Sequence, residues 1–350
     1  MSFYEQVFLK EVTEMRDRKE AGGYNGIPFC FENYRNYIES IDKGIYYGLL
    51  SGTGNGKSYW MRHTFIYEPL KFAKETGYKV KILYFALEDS KMMVYKRIVA
   101  HYLWEHHGVY VSQKLLDSKE EPLPAKYMEL LIGDSDFYEY FESNVYIYND
   151  DLDPDAIVKR CEEAYKYYGD DVHLIAIIDN YANIVQGDYS SEYEAIATLS
   201  RNHVRLNLCK KLNFSVLAIM QSDQDSEKFA TRNAAGNIST IEPNLGSIGK
   251  IKIINQDMHV IWALFNPWRY EIPMYPHAKA GWNTEILRNK FRSLIMLKNN
   301  LGDMAPRMGM LFEGSKGNFS ELPQVNDEQA LQRLYVSVLD AERKFKSRSS

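Results

Sequence analysis

The sequence predicts an α/β protein with a mostly parallel central sheet and helices on both of its faces. Three observations predict it. Apolar runs of strand length alternate with helix-length segments along most of the chain. A glycine-rich loop, Ser51-Gly52-Thr53-Gly54-Asn55-Gly56-Lys57-Ser58, joins one such run to one such helix. Three further apolar runs close on a polar side chain: Glu88, Asp179 and Gln221. Strands covered on both faces read as unbroken aliphatic segments, and parallel neighbours need crossovers long enough to be helices.

Each element follows from its local pattern. Ser2 to Glu20 places Phe3, Val7, Phe8, Val12 and Met15 near one helical face. Ala21 to Gly26 is a hinge by composition. Residues 1–26 therefore read as an N-terminal helix and linker, which packs either on its own domain or on a neighbouring subunit. Strands are expected at Tyr46–Leu50, Val80–Phe85, Val145–Tyr148, Leu174–Ile178, Val216–Met220, His259–Leu264 and Leu294–Leu297. Helices are expected at Ser58–Thr76, Ser90–His106, Pro154–Tyr168 and Ser191–Leu212. Val109 to Phe141 is polar and mixed and reads as a helical insertion. Asp223 to Lys252, rich in Ser, Asn, Gly and Thr, reads as a long mobile loop, of a length that is usually either functional or disordered. Residues 27–325 form the main domain in this reading. Residues 326–350 add a last helix, Glu328 to Lys344, and a basic tail.

Composition narrows the class. A hydrophobic content of 45% is ample for a core, and no apolar run approaches the ~20 residues of a membrane span. The N-terminus lacks a basic-then-apolar leader. Cys30, Cys161 and Cys209 lie far apart without metal-ligand spacing, as reduced thiols do. These features point to the cytoplasm, the host's if the chain is phage-encoded. A net charge of −5 argues against a broad nucleic-acid footprint on one chain, and leaves room for a few basic loops acting together.

The loop at 51–58 names a ligand. Gly52, Gly54 and Gly56 let the backbone curl so that its N–H groups face an anion, with Thr53 and Asn55 between them. Lys57 can reach the β- and γ-phosphates of ATP, and the Ser58 hydroxyl can bind Mg2+. Ser51 stands where the G-x-x-x-x-G-K-[ST] pattern has its first glycine. Asp179 ends the run Leu174-Ile175-Ala176-Ile177-Ile178, at the strand edge where parallel sheets bind ligands. It either holds Mg2+ or caps a turn. Glu88, ending a strand expected beside the phosphate loop, either activates water for hydrolysis or is a solvated turn residue. Asp89 or Ser90 suits a helix cap. Gln221 either contacts the γ-phosphate or satisfies backbone groups at a strand end.

Taken in order, the phosphate loop, the strand ending Leu87-Glu88, the strand ending Asp179 and the strand ending Gln221 resemble the RecA-like P-loop NTPase core. More narrowly they resemble the C-terminal ATPase domain of DnaB-like replicative helicases. Phe85-Ala86-Leu87-Glu88-Asp89-Ser90, Leu199-Ser200-Arg201, Ile254-Asn255-Gln256-Asp257-Met258-His259-Val260 and Leu294 to Gly302 each have a counterpart in that family. The resemblance covers residues 27–323. It implies a homo-oligomeric ring, a hexamer, with ATP between subunits, moving on single-stranded DNA, with primase or a helicase loader as partner. It implies that Lys298 serves a neighbour's γ-phosphate, where it otherwise is a solvated hairpin residue. The matching arginine position is Asn300, which leaves Arg292 or Arg307 to supply that charge, or none. It places Lys250 and Lys252, in Gly246 to Lys252, on a DNA-facing loop, where they otherwise are incidental surface lysines. The family's large primase-contacting N-terminal domain has no counterpart in these residues, which suggests a stripped-down motor whose N-terminal helix docks subunits. Other readings are a RecA-, RadA- or KaiC-type ATPase without unwinding, and a degenerate ATP-binding assembly or loading factor.

Overall fold

The computed structural model describes residues 4–119, 121–222, 242–248, 252–277, 280–314 and 316–349. Among them, thirteen strands run in chain order: β1 (Ile27–Pro28), β2 (Ser40–Ile41), β3 (Tyr46–Ser51), β4 (Val80–Ala86), β5 (Val145–Tyr148), β6 (His173–Asp179), β7 (Ser215–Gln221), β8 (Val260–Phe265), β9 (Met274–His277), β10 (Ala280–Asn283), β11 (Phe291–Asn299), β12 (Met308–Glu313) and β13 (Asn318–Glu321). Nine of them form one mixed sheet in the order β13-β12-β11-β8-β3-β7-β6-β4-β5. The block from β8 to β5 is parallel, and β11, β12 and β13 extend it as an antiparallel edge. β1 and β2, and β9 and β10, make two separate antiparallel pairs.

Alternation along the strands divides the core in two, because successive side chains point to opposite faces. Tyr46 and Leu50 of β3 and Leu83 and Phe85 of β4 face one layer. There they meet Ile157 and Val158 of the helix Pro154–Tyr168, and Leu199, Val204 and Leu208. Tyr47, Leu49, Ile82 and Tyr84 face the other layer, against Trp60 and Phe65 after the phosphate loop and Val94 and Ile98 of the helix Lys91–His107. The expected fold class is therefore observed, an α/β RecA-like core with helices on both faces of a mostly parallel sheet.

Every strand expected from the sequence is present to within a few residues. The helix expected at Ser58–Thr76 is a continuous run, Lys57–Arg62 and Glu68–Thr76, joined by a π-type turn at His63–Tyr67 and closed by Gly77 in the left-handed region. The helix expected at Ser191–Leu212 is Glu192–Thr198 continued by π-type bonding through Leu199–Cys209. The insertion contains short helices at Gln113–Leu116, Ala125–Gly133 and Ser135–Asn144. Two expectations need correction. β4 is not beside β3, because β7 and β6 lie between them. Strands β12 and β13 add to the expected set; in that region only the segment around Leu294–Leu297 shows an aliphatic run.

The N-terminal helix Leu9–Glu20 buries none of its residues, and Val7, Phe8, Leu9, Val12 and Met15 stay exposed. Its side chains make polar contacts with the segment that follows, Lys19 with Glu39 and Arg18 with Asn25. The helix Glu328–Ser349 instead buries Leu331, Tyr335 and Val338 in the core. Among the described residues no helix is long and apolar enough to cross a membrane.

Candidate active site

β3 lies at the centre of the nine-stranded sheet, between its parallel neighbours β7 and β8, so its C-terminal end opens between two strand ends. Ser51 is in register with Gln221 of β7 on one side and Leu264 of β8 on the other. The phosphate loop leaves the sheet there. Asn55 N–H donates to Gly52 O (3.3 Å), and Gly54 and Gly56 take φ of 71° and 98°. A side chain at Gly56 would be strained by that φ, and its Cβ would sit 3.1 Å from the Phe312 ring. The helix that begins at Lys57 leaves first-turn N–H groups without intrahelical acceptors at the loop, the arrangement that receives a phosphate. The loop thus adopts an anion-binding curl with Ser51 in the first-glycine position. Ser51 is buried, and its hydroxyl donates to Leu264 O (3.2 Å), which ties the loop's start to β8.

The expected site residues converge on this loop. Lys57 Nζ lies 3.1 Å from Glu88 Oε2, although two strands separate their own strands; the Glu88 side chain is 46% exposed and reaches across the strand ends. Gln221 Nε2 donates to Thr53 Oγ1 (2.7 Å). Asp179 is buried at the end of β6, where Oδ2 accepts from the Tyr84 hydroxyl (3.2 Å) and Oδ1 has no partner. Burial pushes the Asp179 carboxyl above its ordinary range, against the pull of Lys57, Arg62 and the Ser58 hydroxyl. The orphaned Oδ1 beside Ser58 fits a hard cation that takes oxygen ligands and keeps waters. Among the described residues no group of three or more His, Cys, Asp or Glu could hold a metal by itself, so a Mg2+ here would depend on Ser58, Asp179 and the phosphates of its nucleotide. Ser90 caps the helix after Glu88, accepting from Met93 N–H (3.3 Å), while Asp89 pairs with Arg97.

A cavity of about 180 Å³ opens in front of the loop, lined among others by Gly54, Lys57, Ser58, Glu88, Arg97 and Phe312. A larger one, about 450 Å³, lies between the helices Glu68–Thr76, Lys91–His107 and Ser135–Asn144, and none of the site residues lines it.

Other expected residues lie apart from the loop. Lys298 Nζ donates to Asn255 O (2.8 Å) and Gln256 O (3.4 Å), capping the turn Lys252–Gln256, and burial lowers its pKa. Arg292 is engaged within its own chain. It is 1% exposed, and Nε donates to Asn55 O (2.6 Å) of its own phosphate loop while Nη1 donates to Asn289 O and Phe291 O. Burial, with Arg269 nearby, brings its pKa down to about 9. Arg307 is committed to Glu242, with Nε 2.7 Å from Oε1. Lys250 lies outside the described residues, and Lys252 begins the turn Lys252–Gln256.

Sequence reasoning missed three contributors to this site. Arg269, just after β8, donates to Thr53 O and stands over Gly54. Phe312 of β12 packs against Gly56 and Tyr59. Arg62 is buried beneath the loop with two nitrogens unpartnered. Arg269 and Phe312 arrive from elements distant in sequence and carry no local signal. Arg62 does carry one, a charge at i+4 from Ser58 on the inward face of the loop's helix.

The fold and the loop together define a RecA-like P-loop architecture. Among solved structures, the chain is similar to one described as an ATPase domain, with a TM-score of 0.68 and 15% identity over 91% of this chain and 99% of that one. It is similar also to a DnaB-like replicative helicase whose structure was described with its interactions with primase, at a TM-score of 0.64 and 15% identity, over 91% of this chain and 66% of that chain. At this identity the likeness is one of fold, and it is the fold that the sequence resemblance implied. The sequence matches no protein-family model and no curated protein.

Proposed function

We propose that the chain is an ATP hydrolase whose turnover drives a ring-forming motor along single-stranded DNA, as a replicative helicase does. The observation that carries this reading is the convergence of Lys57, Glu88, Asp179 and Gln221, from four separate elements, on one phosphate loop. Lys57 and the loop's N–H groups bind the phosphates. Ser58 and Asp179 would hold Mg2+, which when bound neutralises charge on the β- and γ-phosphates. Glu88 gives up Lys57 to the incoming phosphate and is then free to accept a proton from the attacking water. Gln221, bonded to Thr53 at the end of β7, passes the state of the loop to the segment that follows. Phe312 and Arg269 brace the loop, by packing against Gly56 and by a hydrogen bond to Thr53 O.

Lys298 reaches a neighbour's nucleotide only by leaving Asn255 O, and Lys250 and Lys252 contact the strand from the central channel. The exposed apolar face of the N-terminal helix suits docking between subunits, and a primase or a loader would act on the assembled ring. The deciding experiment measures ATPase with and without single-stranded DNA, together with displacement of one strand from a forked duplex. DNA-stimulated hydrolysis and unwinding, both lost in Lys57→Ala, support the reading. Hydrolysis without unwinding moves it to the RecA-, RadA- or KaiC-type alternative.

A second reading, an ATP-binding assembly factor with little turnover, is favoured by one observation. Arg292 and Arg307 are both engaged within the chain, and Asn300 occupies the hairpin position that would carry a transferable arginine.

A further inference from the structure

Two arginines without a part in the hydrolysis scheme help to line the phosphate cavity. Helical side chains lean toward the N-terminus, so Arg62, one turn beyond Ser58, reaches back toward the loop. It is 1% exposed and lines the cavity. Its Cζ lies 4.9 Å from the Tyr59 ring centroid, and Nη1 and Nη2 are buried without any hydrogen-bond partner. A buried guanidinium that keeps two nitrogens unpaired is unfavourable unless something else supplies acceptors. Arg97, from the helix Lys91–His107, lines the same cavity, with its Cζ 6.0 Å from the Tyr59 ring. It pairs with Asp89, and its Nε is buried and unpartnered.

Charge and hydrogen bonding point to the same ligand chemistry. Lys57, Arg62 and Arg97 stand against Glu88, Asp89 and Asp179, and the groups left without a hydrogen bond are three guanidinium nitrogens and the acceptors Asp179 Oδ1 and Asn55 Oδ1. The unmade bonds of Arg62 and Arg97 are guanidinium donors. The other two arginines near the loop, Arg269 and Arg292, already donate to Thr53 O and Asn55 O. The donors of Arg62 and Arg97 call for an anion rich in oxygen acceptors, placed between Lys57 and the two guanidinium groups. Planar guanidinium forks recognise phosphate oxygens in this way.

We propose that Arg62 and Arg97 clamp the terminal phosphate of a nucleoside triphosphate bound by the same chain, with Arg97 exchanging Asp89 for that phosphate. The inference rests on the nucleotide site described above and deepens it. The clamp lets a single chain distinguish a triphosphate from a diphosphate, with no residue from a second subunit.

The test is calorimetric titration of AMP-PNP and of ADP, each with Mg2+, into protein shown by light scattering to be monomeric. Arg97→Gln is the main variant because Arg97 is less deeply buried than Arg62; thermal melting checks that it folds. Loss of a charge-assisted phosphate contact is expected to weaken AMP-PNP about 10–100-fold while ADP changes less than about twofold. Arg97→Lys should recover part of the loss. Asp89→Asn, which frees Arg97, should leave AMP-PNP binding as tight as in the parent or tighter. If Arg97→Gln weakens both nucleotides equally, or neither, the clamp is refuted while the nucleotide site stands. If the parent protein itself binds neither nucleotide, the site reading fails and the clamp falls with it.

Discussion

Glu88→Gln separates binding from chemistry, because the structure predicts effects of opposite sign. Lys57 and Glu88 are ion-paired at 3.1 Å, and Lys57 must leave that pair to reach a phosphate. The Glu88 side chain is 46% exposed, so the pair contributes no more than about 1 kcal/mol. Removing the charge should therefore tighten ATP binding by up to about fivefold, since about 1.4 kcal/mol corresponds to tenfold. The same change removes the carboxylate placed to accept a proton from water, a role that contributes about 10²–10⁴-fold. Fluorescent-ATP titration and single-turnover hydrolysis with excess protein read the two effects separately. Hydrolysis at the parental rate would refute Glu88 as the base. ATP binding that weakens would refute the claim that Glu88 competes with phosphate for Lys57.

Other substitutions test the surroundings. Gly56→Ala forces a side chain into φ 98° and against Phe312, and should destabilise the fold by about 1–3 kcal/mol. Thermal unfolding should show the loss, and added ATP should no longer raise the melting temperature. Asp179→Asn removes a buried charge whose carboxyl is pushed up by desolvation, so it should melt no lower than the parent while Mg2+ affinity falls about 10–100-fold, read from the Mg2+ dependence of hydrolysis. His173 is buried and neutral. Its Nε2 donates to Ser215 Oγ, whose own proton goes to Asp42 O, and desolvation lowers its pKa to about 3. Because that lies below the unfolded value of about 6.5, the contribution to stability is complete above pH 6.5 and is lost as pH falls toward 3. Between pH 7 and 5 His173 alone should account for about 2 kcal/mol of the loss in urea unfolding, beside the buried His63 and the half-buried His259, and a His173→Gln variant should show a slope shallower by that amount.

Much of the fold was legible because burial on both faces leaves unbroken aliphatic runs. β6, Leu174 to Ile178, and β7, Val216 to Met220, could hardly be read otherwise. The loop was legible because Gly-Lys-Ser between a strand and a helix is a local signal. Strand order was not. The separation of β3 from β4 by two strands is a tertiary fact, and Glu88 reaches Lys57 only because the strand ends share one edge of the sheet. The antiparallel edge was half visible, since β12 is buried only along its first half and β13 buries only Phe319. Arg292 looked available from the sequence, and its burial behind Asn55 depends on the register of β11 against β8 and β12. The Arg201 Nε bonds Asp257 Oδ1 at 2.9 Å, a partner distant in sequence that no local pattern signals.

The most direct measurement is phosphate release from ATP by the purified chain and by its Lys57→Ala variant, with and without Mg2+. The parent should release phosphate only when Mg2+ is present, and the variant should release none above background. Equal release from the two proteins, or none from the parent in the presence of both Mg2+ and single-stranded DNA, would contradict a triphosphate-hydrolysing site at this loop.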